Sequence, residues 1–85
     1  MQVIHMSDGR ATFHCPGCEC AHQVNSTWTF NGDMAKPTIR PSILARGAET
    51  CHSFVTHGEI QYLAGSTHPL AGQTVALPPW DGWKP

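Results

Sequence analysis

Apolar residues in this chain alternate with polar ones or gather in short clusters, and nowhere recur at the three-to-four spacing of an amphipathic helix. The pattern predicts strands. Gln2 to Met6 and Ala11 to His14 flank a Ser7-Asp8-Gly9 turn and form a hairpin. Cys15-Pro16-Gly17-Cys18 is a tight turn, since Pro pre-sets φ and Gly tolerates unusual backbone angles. His22 to Asn25 and Trp28 to Asn31 are short strand candidates, and Asn31-Gly32-Asp33 turns the chain. Lys36 to Ser42 holds two prolines, which push their preceding residues out of the α region and keep the segment extended. Ile43 to Arg46 is a strand and 47 to 50 a loop. His52 to Thr56, His57-Gly58 and Glu59 to Leu63 make the clearest hairpin. Thr67 to Gly72 is expected to form one helical turn, and Gln73 to Leu77 a last strand ended by Pro78-Pro79. The expected fold is mostly β: one small zinc-ribbon-like domain over residues 1–85, built of short antiparallel strands and hairpins.

Composition changes this picture in one respect. A chain of 85 residues buries a small fraction of its surface on folding, so its core stabilises little. A staple is expected, and four Cys with six His offer one. A net charge of −1, with Arg10, Lys36, Arg40, Arg46 and Lys84 scattered, lacks the basic stripe of a nucleic-acid binder. No apolar run is long enough for a membrane span, and the first residues show no signal peptide. The expected compartment is the reducing cytoplasm, where paired thiols read as metal ligands rather than disulfides.

Five candidate ligands lie in FHCPGCECAH: His14, Cys15, Cys18, Cys20 and His22. A Cys-Pro-Gly-Cys turn brings two sulfurs to one side at the spacing of a tetrahedral edge, and its backbone N–H groups favour thiolates. The remaining sulfur is Cys51. Cys15, Cys18 and Cys51 with His22 or His52 make a Cys₃His site for Zn²⁺. His22, four residues after Cys18, lets the chain curl back. Cys20, two positions after Cys18, is expected to be a bystander, as is His14, which alternates away from its neighbour Cys15 along the strand. Such a sulfur-rich set reads first as structural, because it leaves the metal no open position. A Cys15–Cys18 redox pair would need a βαβ context that is missing.

Ser42, His52, Ser53 and His68 supply the parts for acyl transfer, in which a His takes a hydroxyl proton and returns it to the leaving group. The bland alternative has Ser42 bonding a turn and His68 capping a helical turn or binding the metal. Asp33, Glu49 and Asp81 are the carboxylates most easily placed near a site. Trp28, Phe30, Phe54, Tyr62 and Trp80 read as core or edge cover, and Trp83 as tail. HExxH, a phosphate-cradling Gly loop and a nucleophile elbow are all absent.

The series FHCPGCECAH, WTFNGDMAKPTIRPSI, CHSFVTHGEIQYL and STHPLAGQTVALP, spanning about residues 13 to 80, resembles a family of small bacterial and phage proteins. Its members are often misnamed ammonia monooxygenase. It is similar to the BubE component of bacterial ubiquitin-like conjugation operons, for which a peptidase role is proposed. Cys15, Cys18, His22, Ser42, Cys51, His52, His68 and Gly72 match its motif positions, whereas Cys20 and Ser53 resemble variable ones. The resemblance implies a zinc site around Cys15, Cys18 and Cys51, and raises Ser42 with His52 or His68 as a catalytic pair. It implies a hydrolase cleaving a peptide, isopeptide or ester bond of a protein substrate such as a ubiquitin-like conjugate. A metal-bound water is the variant mechanism if the zinc keeps one position open. The alternative is a non-enzymatic phage accessory module that binds a protein partner around a purely structural zinc.

Overall fold

The computed structural model describes residues 2–46 and 50–80 and contains two antiparallel sheets. The first is the meander β1 (Ile4–Ser7), β2 (Arg10–Cys15) and β3 (Cys20–Val24). The second has the order β4 (Thr29–Phe30), β5 (Ile39–Arg46), β6 (Thr50–Thr56), β7 (Glu59–Tyr62) and β8 (Thr74–Ala76). Among the described residues there is no helix, and none long and apolar enough to cross a membrane.

Two hairpins close on two-residue turns, Asp8-Gly9 and His57-Gly58, with φ of 53° and 73° in the first and 50° and 79° in the second. Left-handed angles at both positions match the twist of the flanking strands. At Gly58 a Cβ would stand 3.1 Å from the Ala35 carbonyl, so this turn also packs against the 35–37 loop. The expected helical turn at 67–72 is instead a pair of reverse turns. Ala71 N–H bonds the His68 carbonyl at 3.1 Å and Gln73 N–H bonds that of Leu70 at 2.9 Å. These are three-residue spans, and Gly72 at φ 82° turns the chain out of them.

The extended Lys36 to Ser42 segment belongs partly to β5, which starts at Ile39 rather than Ile43. Ile39 pairs with Val55 and Ile43 with Ser53, so Arg40, Pro41 and Ser42 face Phe54 alone. Pro41 has no N–H to give a ladder, and the strand accommodates it as a bulge.

The core takes alternate residues of both sheets: Ile4, Phe13, Ile39, Val55 and Ile60 are fully buried, with Ala11, Val24, Ile43 and Leu77 beside them. Cys15 and Cys51 lie in this same core. β6 shows the alternation most cleanly, with Cys51, Ser53 and Val55 buried and Thr50, His52, Phe54 and Thr56 on the other face.

A candidate metal centre beside a serine–histidine pair

β2 ends at Cys15, and the Pro16-Gly17 turn carries the chain to Cys18, whose N–H points at Cys15 Sγ (3.5 Å). β3 returns antiparallel and places buried His22 opposite Phe13. Cys51 arrives from β6, its Sγ 3.9 Å from Cys15 Sγ. One ligand atom from each of Cys15, Cys18, His22 and Cys51 lies within 4.8 Å of all the others. His22 Nε2 is buried with no hydrogen-bond partner. A buried polar atom left unsatisfied is costly, and a metal bond is one way to satisfy it. The four residues therefore fit a metal ion.

Charge in the cluster gathers on Cys15. A hydrogen bond from Cys51 holds its thiol down to about 3, helped by His22, the Tyr62 hydroxyl and the Cys18 N–H, against the opposing effect of burial. Burial, then the Cys15 charge, pushes Cys18 up to about 12. Cys51 is raised too, first by its bond to Cys15 and then by burial. One thiolate thus suppresses the next, and a bound cation reverses that suppression.

Tyr62, on β7, braces the turn from behind. Its oxygen accepts the Gly17 N–H at 3.0 Å, which leaves its proton to donate to Cys15 Sγ at 3.1 Å. Burial, reinforced by the bond to Cys15, raises the phenol and keeps it a donor. His68 stands edge-on to Tyr62, centroids 4.4 Å apart, and lies across Gly17, where a Cβ would approach Nε2 to 2.6 Å. The Leu70 N–H bonds its Nδ1 at 3.3 Å. Sequence reasoning took Tyr62 for core or edge cover; its hydroxyl lies 45 residues from the backbone group it serves, a pairing no local pattern signals.

On the outer face of β6, His52 Nε2 is 2.9 Å from Ser42 Oγ. The bulge in β5 sets Ser42 diagonally across from His52, whose direct cross-strand partner is Leu44. His52 is fixed through its backbone. The Ser66 hydroxyl accepts its N–H (3.0 Å) and donates to its carbonyl (3.1 Å), which also receives the Leu63 N–H (2.8 Å). Trp28 Nε1–H donates to the Ser42 carbonyl at 3.4 Å. The structure thus places His52 against Ser42 and His68 on the metal turn.

Asp33 is spent locally: its carboxylate accepts the Ala35 and Lys36 N–H groups at 3.0 and 2.9 Å. Glu49, Asp81 and Trp83 lie outside the described residues. Cys20 faces Cys15 across the β2–β3 ladder, outside the four-residue group, its thiol raised by burial and the Cys15 charge. His14 lies between buried Phe13 and Cys15 on β2 and pairs with Ala21.

A family model described as the bacterial ubiquitination-like system serine protease, BubE, matches residues 1–63. The chain belongs to the BubE family. Within the BubE match lie all four metal-cluster residues, the Ser42–His52 pair and Tyr62; Ser66 and His68 follow it. Comparisons with curated proteins and with solved structures return no match.

Proposed function

We propose that this BubE-family chain is a zinc-stabilised serine hydrolase that cleaves a peptide or isopeptide bond in a protein substrate of the ubiquitin-like class. The observation that carries the reading is the 2.9 Å contact between Ser42 Oγ and His52 Nε2 on an accessible sheet face. In this reading Ser42 Oγ attacks the scissile carbonyl as its proton passes to His52 Nε2. His52 then gives that proton to the departing nitrogen, leaving an acyl ester on Ser42. Water repeats the sequence, with His52 as base and Ser42 as leaving group.

Zinc is the metal best suited to three sulfurs and one imidazole in a compact cluster. The 3.9 Å between Cys15 and Cys51 sulfurs is close to the edge of a tetrahedron with Zn–S of about 2.3 Å. Cys15, Cys18, His22 and Cys51 would fill all four positions, so zinc supplies cohesion here and the metal-bound-water variant has no place for its water. The Ser–His pair carries the chemistry. The thiol-rich site and the absence of any thiol pairing fit a reducing compartment such as the cytoplasm.

The test is Ser42→Ala, purified folded and with its metal, against wild type on a ubiquitin-like fusion, with fluorophosphonate labelling read by intact mass. Turnover should fall by about a hundredfold or more and labelling should vanish. Undiminished cleavage by folded Ser42→Ala would remove Ser42 as nucleophile and with it the proposal.

A further inference from the structure

β4 covers β5 only at Ile39 and Arg40. Past them, the Trp28 indole takes the Ser42 carbonyl, and among the described residues no strand follows on that side. The direction of the remaining backbone groups follows from the ladder. In an antiparallel pair the N–H and C=O of one residue point to the same side, and successive residues alternate. The N–H and C=O of His52 are both taken from the β7 side, by Ser66 and Leu63, and those of Thr50 by Thr67. Leu44 and Arg46, their cross-strand partners, therefore turn their N–H and C=O away from β6. The Ser42 carbonyl, directed at Trp28, keeps the same phase.

We propose that the free edge of β5, from Ser42 to Arg46, binds an extended polypeptide segment of the substrate as an added strand, with Leu44 giving and receiving its hydrogen bonds. This deepens the Ser42–His52 reading and rests on it. An unpaired edge is a ready template for another chain, and strand addition is a recurrent way to hold a peptide. Here the edge begins at the nucleophile. A peptide residue paired with Leu44 lies about 6.8 Å, two residues, along the strand from the carbonyl presented to Ser42. Leu44 is 50 % exposed and shares a face with Ser42 and His52, an apolar contact for a neighbouring substrate side chain. Arg40 is engaged with the Ile39 and Val55 carbonyls and with Thr56, which leaves Arg46 as the exposed cation of the edge. The substrate class is a flexible tail or linker able to become a strand, not the surface of a folded domain.

Two reagents separate this edge from the chemistry. A small alkyl fluorophosphonate needs only Ser42 and His52. A tetrapeptide diphenyl phosphonate, acetyl-trialanyl with a leucine-like phosphonate end, also needs the edge. In its reaction Ser42 Oγ bonds to phosphorus, phenoxide leaves, and the serine proton passes through His52 to the phenoxide. The tetrapeptide reagent should label wild type about tenfold faster than its single-residue counterpart, and N-methylation should slow it at every second amide. Brisk labelling by the fluorophosphonate with no gain from the peptide, or N-methyl effects without alternation, would overturn the edge and leave the hydrolase standing. Labelling by neither reagent would overturn the hydrolase. The edge is then judged on amide resonances as acetyl-trialanyl-leucine amide is added to the protein. Leu44 and Arg46 should shift ahead of Ile43 and Ala45, and no shift at any of them overturns it.

Discussion

Tyr62→Phe removes one oxygen and leaves the aromatic ring in place. The side chain is 1 % exposed, so the ring keeps its burial and its edge contact with His68. Two hydrogen bonds vanish: the Gly17 N–H loses its acceptor, and the Cys15 sulfur loses a donor. The Gly17 N–H is half-buried, so leaving it unsatisfied costs toward the low end of about 1–3 kcal/mol, and a hydrogen bond to a charged partner contributes about 1.5–3 kcal/mol. Relief from burying a hydroxyl offsets part of this, for a net loss of about 2 kcal/mol. In a domain of this size the midpoint of thermal unfolding should fall by about 10 °C. Tryptophan fluorescence of the metal-loaded protein reads that shift. Under the proposed reading the lost donor serves a metal-binding sulfur, so transfer of the ion to a colorimetric chelator should also speed up, by about tenfold. A midpoint within about 2 °C of wild type together with unchanged transfer would show that the hydroxyl does not hold the turn.

Cys18→Ser should leave the chain largely unfolded at 25 °C, because binding energy at such a site is folding energy, whereas Cys20→Ser should shift the midpoint by no more than about 4 °C; circular dichroism of both variants, with equal losses, would contradict the ligand set. Gly17→Ala should destabilise by about 1–3 kcal/mol, since its new methyl enters the space of the His68 ring, and His68→Ala in the same chain should restore part of the loss, as read by paired urea melts. The Asp33 carboxyl is held below its usual value of 3.8, chiefly by the Lys36 and Ala35 N–H groups. A depressed carboxylate contributes stability above its unfolded value that is lost as pH falls through the folded one, so Asp33→Asn should flatten the stability profile below about pH 4 and leave its shape above pH 5 unchanged. A scan of unfolding midpoints against pH checks this.

What the sequence made legible was local. The Asp-Gly and His-Gly turns, the Cys-Pro-Gly-Cys turn and the alternation along β6 are each written within a few residues, and the strands around them stand close to their expected places. The start of β5 was hidden because Pro41 argues against a strand, and only the fold shows that a bulge absorbs it. The same bulge decides which histidine meets Ser42, so His52 and His68 were equal candidates from spacing alone. The seat of His68 over Gly17 rests on the missing Cβ of a residue 51 positions earlier, a complementarity that alternation does not encode. The segment expected as a helical turn forms reverse turns over 68–73, where Gly72 takes a positive φ that a helix does not use.

The two faces of β6 carry different cargo. Cys51 looks inward to the metal cluster, and one peptide bond later His52 looks outward to Ser42. Under the proposed reading, a copy that has not yet captured its ion keeps β6 paired with β5 and β7 but lacks the tie from Cys51 to the Cys15–Cys18 turn of the first sheet. Under the proposed reading, newly made or metal-starved molecules stay disarmed, and cleavage begins only once maturation is complete. Such a hydrolase needs no inhibitory pro-segment to keep immature copies from cutting their neighbours.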